Sequence, residues 1–210
     1  MNFDNAHDGI RKLIIAQFLG LCAAATGLLS TLLSSLPGVG GSAAAFGAGV
    51  LMVITAGLGI ASIVVTIIGL VKAKSDEINF NTAFMFTVIG LGCSLAANAF
   101  NRVPVLSGLS SIGSTVCSLI GTVYVIKAIM ALAEIKGETA IAEKGSLLIK
   151  IVVVAKALAV GFSLTTNFFP FLGQVPFLTF IISTSTILVE IVVYLVFLRY
   201  LIAGREMLER

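Results

Sequence analysis

Glu190 stands within TSTILVEIVVYLVF (residues 184–197), an apolar run with no other charge. Lys156 is equally isolated in IVVVAKALAV (residues 151–160). An acid and a base so placed can do two kinds of work. They can relay a proton or ion or offer a counter-charge to a substrate, or they can pair and hold two helices together. A charge at bilayer depth costs about 2.5–3.5 kcal/mol on the insertion scale, so pairing or neutralisation is expected. Glu190 lies about 14 residues, roughly 21 Å, past Pro176, and Arg199 follows nine residues later. Lys156 lies about ten residues, roughly 15 Å, into its own segment. The two segments are consecutive and therefore antiparallel neighbours, so the depths nearly coincide. Glu190 is expected to face the interior, within hydrogen-bond or one-water reach of Lys156. Lys127 is shallower, seven residues before Glu134, and its stem can snorkel to water, as can that of Lys150.

Polar residues recur at helical spacing around this pair. Thr179, Ser183, Thr186 and Glu190 follow steps of 4, 3 and 4, and so do Lys156, Val160, Ser163 and Asn167. Ser107, Ser111, Ser114, Ser118 and Thr122 form a third stripe, and Ser94 with Asn98 a shorter one. Such faces either line a polar pathway or let helices approach and hydrogen-bond, and packing is the commoner use. The candidate intramembrane polar site is therefore Glu190, Lys156, Lys127, Asn167, Asn98, Ser163 and Thr186. Gly57 and Gly59, and Gly113, Cys117 and Gly121, make small-residue faces that predict close helix contact, within the chain or between copies. Other chemistry finds no residues. His7 is the only histidine, which excludes a two-histidine metal site or a Ser-His-Asp triad at membrane depth. Cys22, Cys93 and Cys117 sit in apolar segments, as small packing residues do. GVGG (38–41) lacks the lysine and the strand–helix context of a phosphate loop. No catalytic, cofactor or metal residue is assigned, and the chain does not read as an enzyme.

The elements that must position these groups follow from hydropathy. Of 210 residues 58% are hydrophobic and 11% charged, and mean hydropathy is +1.12, too little charged surface for a soluble domain. Apolar runs near or above 18 residues recur, without the polar–apolar alternation of barrel strands. The fold expected is an all-α, polytopic transmembrane bundle in one integral membrane domain, 1–210. Six spans are predicted: 13–35, 46–71, 80–100, 107–133, 146–168 and 176–203. They pair into hairpins at 13–71, 80–133 and 146–203. MNFDNAHDGIRK reads as a polar tail before a retained first helix, not a cleaved signal. PGVGGSAAA, NRVPVL and FPFLGQVPF hold all four prolines and one charge, Arg102. KAKSDEIN, EIKGETAIAEKG and AGREMLER lie on the opposite side with the N-terminus. Ten of the thirteen Lys and Arg fall on that side or its boundary. The positive-inside rule then makes both termini cytoplasmic in a cell membrane. EIKGETAIAEKG reads as a solvated linker. No basic stripe with interleaved aromatics suggests nucleic acid.

Hairpins two and three look related. SLAANAF (94–100) parallels SLTTNFF (163–169), RVPVL (102–106) parallels QVPFL (174–178), and VYVIKAIMALA (123–133) parallels VYLVFLRYLIA (193–203). The three matches keep one order at offsets of 69, 72 and 70. Hairpins sharing one orientation make a parallel repeat. DGIRKLIIAQFLGL, VYVIKAIMALAEIKG and the six-span plan resemble a group of small membrane proteins of Gram-positive bacteria without an assigned activity. That resemblance implies a bacterial source and no mechanism. Two functional expectations follow. One is a non-enzymatic membrane module or accessory subunit, partnered by the lipid bilayer and by another membrane protein or a second copy. The alternative is a small transporter or channel with its polar site around Glu190 and Lys156.

Overall fold

A computed structural model of the chain describes residues 3–35, 42–100, 102–168 and 176–209. Within its helices the side chains of 31, 34–35, 42–45, 104–105, 159, 162–168, 176–183 and 186–187 fall outside the description. The described residues form six α-helices and no strand: α1 Asp4–Ser35, α2 Ser42–Ala73, α3 Ile78–Ala99, α4 Pro104–Lys136, α5 Thr139–Phe168 and α6 Pro176–Glu209. Even α3, with 22 residues, is about 33 Å long against a hydrocarbon core of about 30 Å. Four stretches among the described residues are long and apolar enough to cross a membrane: Asp4–Ser30, Phe46–Ala73, Ile78–Ala99 and Leu106–Lys136. Large apolar side chains such as Phe18, Phe46, Met52, Ile60 and Leu95 are exposed. Water-soluble monomers rarely expose so many large apolar side chains. The described residues are all-helical, with the build of a membrane protein.

α1 packs most extensively against α2, and α3 against α4. α5 lies against α4, and α6 returns to α1, which closes a ring. Among the described residues the tight packing is at one end. Ile10, Leu70, Phe80, Ile126, Leu132 and Leu201 are fully buried there. These are the ends of the helices that carry the charged connections.

Polar contacts clamp the same end. Asp76, in the turn between α2 and α3, accepts from the Ala6 backbone N–H at 2.7 Å and from Asn5 Nδ2 at 3.1 Å. Lys72 pairs with Asp8 at 3.0 Å, and Lys136 Nζ donates to the carbonyls of Met207 and Leu208 at the end of α6. Two expectations change here. The polar tail is helical from Asp4, where Asp76 accepts from the Ala6 N–H, an otherwise unpaired donor of the first turn. The solvated linker is also helical apart from a break at Gly137 and Glu138. Gly137 is left-handed at φ 77°, with Glu138 N–H bonded to Ala133 O and Gly137 N–H to Glu134 O, a Schellman stop.

The termini meet through Glu209, whose Oε1 lies 3.1 Å from His7 Nε2 and 2.8 Å from a guanidinium nitrogen of Arg205. The hydrogen bond to His7, then the one from Arg205, holds the Glu209 carboxyl below the ordinary carboxylate range. A lowered carboxyl stabilises the fold above its ordinary value of 4.5, and that contribution is lost as pH falls through the lowered one. In detergent, Glu209→Gln is expected to have a lower Tm than the wild-type chain near neutrality. The gap should close below pH 4.5. A gap that does not change with pH refutes the clasp.

Candidate functional site

Above the packed end the bundle opens around a cavity of about 320 Å³ to which all six helices contribute. Leu13, Leu70, Val125, Val152 and Phe197 line it and belong to the buried core, so they form its floor. Its polar lining is Gln17 of α1, Ser62 and Thr66 of α2, Thr87 and Ser94 of α3, Ser114, Ser118 and Thr122 of α4, Lys156 of α5, and Glu190 and Tyr194 of α6.

The central contact is between Lys156 and Glu190, with Nζ 3.4 Å from Oε1. The Lys156 side chain is 20% exposed and that of Glu190 39%. Charge-assisted N–H···O⁻ bonds usually measure about 2.7–2.9 Å, so this contact is loose. The cavity therefore holds a compensated ion pair at more than ideal hydrogen-bond length.

The other candidates separate. Lys127 is exposed, does not line the cavity, and sits 5.3 Å from the centre of the Tyr124 ring, a cation–π contact. Asn98 is exposed and turns its Nδ2 back to Ser94 O at 3.1 Å, so it leaves the polar face to Ser94. Ser163, Asn167 and Thr186 have side chains outside the described residues. The serine stripe of α4 divides, with Ser114, Ser118 and Thr122 at the cavity and Ser111 exposed away from it.

Sequence reasoning missed Gln17, Ser62, Thr66, Thr87 and Tyr194. A signal existed for some. Gln17 is the one amide in LIIAQFLGL, and Ser62 and Thr66 are four apart in an otherwise apolar helix. Four of the hydroxyls are already committed as donors. Thr66 donates to Ser62 O, Thr87 to Ala83 O and Thr122 to Ser118 O, each within its helix, and Ser62 donates across to Ala16 O. Gln17 Oε1 is buried without a partner.

The small-residue faces also divide. Along α3 and α4, Gly90 abuts Cys117 and Gly121 abuts Ala83 O and Thr87, so this face is a helix contact as expected. Gly57 and Gly59 meet nothing within 4 Å of where a Cβ would stand. Within the chain α2 instead meets α1 through Gly69, opposite Gly9.

Among the described residues no three His, Cys, Asp or Glu side chains gather as metal ligands. No family model matches the chain, and neither a curated protein nor a solved structure is significantly similar to it.

Proposed function

We propose that this is a six-span integral membrane protein that binds a small polar solute in its central cavity and moves it across the bilayer. The ion pair carries the proposal. A pair that only joined two helices would be sealed between them, whereas Lys156 and Glu190 face a space lined by every helix. Charged groups retained at membrane depth beside a cavity are the usual mark of a solute or ion path. An accessory module needs no such space, and the non-enzymatic character of that reading is kept.

The six-span topology has both termini in the cytoplasm. It is supported by the concentration of Lys and Arg on alternate connections, and by the clamping of those connections to both termini at one end. The parallel repeat of hairpins two and three rests on the three sequence matches. It would make α4 and α6 equivalent walls of the cavity.

Cysteine labelling tests the reading in a background where Cys22, Cys93 and Cys117 are serine. In sealed cells an impermeant maleimide should modify Ser42→Cys and spare Ser75→Cys; labelling at 75 refutes the topology. A small water-soluble thiol reagent should modify Ser118→Cys in the cavity much faster than Leu95→Cys on the lipid side. Equal, negligible rates would mean a sealed interior and would end the transport reading.

A further inference from the structure

We infer that the solute is a small primary ammonium ion, which displaces Lys156 from Glu190; the inference rests on the transport reading of the cavity. The cavity already holds one ammonium group, because Lys156 reaches into it from α5 and places its own on Glu190. At 3.4 Å that contact is longer than a good charged hydrogen bond, so a free ammonium with unrestricted geometry can bind the same carboxylate more closely. The carboxylate is also the more accessible partner, at 39% against 20% for Lys156. An arriving solute meets the acid before the base.

Four of the lining hydroxyls favour a donor. Thr66, Thr87, Thr122 and Ser62 have each committed their hydroxyl proton to a backbone carbonyl, which leaves lone pairs toward the cavity. Gln17 adds a buried, unpartnered amide oxygen. An ammonium carries three donors and no acceptor, the complement of these four hydroxyls and the Gln17 oxygen. An anion would instead have to draw out the less exposed Lys156. The cavity of about 320 Å³ admits an amine of a few carbons.

The test uses the purified full chain in detergent and follows Tm in methylammonium and ethylammonium chloride. Sodium and potassium chloride at matched ionic strength, sodium acetate and sodium phosphate serve as comparisons. The expected result is a saturable rise in Tm with the two ammonium salts alone. Lys156→Met removes the internal competitor and should lower the half-saturating concentration at least tenfold. The double variant Glu190→Gln, Lys156→Met keeps no buried charge at the pair and should not respond. Stabilisation by acetate or phosphate that Lys156→Met abolishes would overturn the inference in favour of an anion. Stabilisation by sodium or potassium alone would overturn it in favour of an alkali ion. No response to any salt, with Ser118→Cys still reactive toward the thiol reagent, would reject the ammonium and leave the cavity reading standing. No response with Ser118→Cys unreactive would reject both.

Discussion

Glu190→Gln is expected to lower the stability of the folded chain, and adding Lys156→Met should restore part of the loss. The single change leaves the Lys156 ammonium in the cavity without its counter-ion. An uncompensated charge at full membrane depth costs about 2.5–3.5 kcal/mol, and the partial exposure of both side chains toward the cavity reduces the expected loss to about 1–2 kcal/mol. Removing both charges removes the stranded group, so the double variant should be more stable than the sum of the single losses. Coupled contacts of this kind usually give interaction energies of about 0.5–3 kcal/mol, and a double-mutant cycle on reversible unfolding in mixed micelles reads the value directly. Zero coupling would reject the pair. The same variants separate the two meanings of the pair. If Glu190→Gln folds with nearly normal stability yet no longer takes up methylammonium in proteoliposomes, Glu190 serves the solute. If stability alone responds, Glu190 and Lys156 serve to join α5 and α6.

The helical class and the matching depths of Lys156 and Glu190 were legible because each depends on local spacing. Segment length fixes a helix's span, and counting residues from each end gives the depth of a charge. The cavity was not legible, because it depends on which face each helix turns inward, and a helix that is apolar all round gives no such direction. Gln17 and Ser62 show this. Each is a single polar group whose importance appears only when α1 and α2 are set beside α6. Asn98 shows the converse, a polar residue at the right spacing that satisfies itself on its own helix through Ser94 O. The helical ends were missed for a third reason. Hydropathy marks where lipid stops, whereas Asp76 and Gly137 determine where the backbone stops, and those positions lie several residues further out. The repeat is a statement about sequence matches whose most telling side chain, Asn167, falls outside the described residues.

Gly9→Ala is expected to destabilise the bundle, although alanine is intrinsically the better helix residue. A Cβ at Gly9 would stand 2.6 Å from Ala73 Cβ and 2.6 Å from the Gly69 carbonyl oxygen. One at Gly69 would stand 2.9 Å from the Gly9 carbonyl oxygen. Backbone atoms on both sides cannot rotate away, so α1 and α2 must separate. Overpacking of this sort costs about 1–3 kcal/mol, against which the propensity gain of about 1 kcal/mol is a partial offset. Gly9→Leu should cost more. Gly57→Ala and Gly59→Ala supply the control, because a Cβ there meets nothing within 4 Å and only the propensity gain remains. The same chemical change on neighbouring helices should thus differ in sign, read as Tm in detergent. A neutral Gly9→Ala would refute the close approach. The effect should also reach the cavity. Leu13 and Leu70 pack beside the Gly9–Gly69 contact and form part of the floor that closes the cavity at the charged end. Separating α1 from α2 loosens that floor. In inverted membrane vesicles, an impermeant thiol reagent should therefore reach Ser118→Cys faster when Gly9→Ala is present. An unchanged rate would place the barrier elsewhere than at this glycine pair.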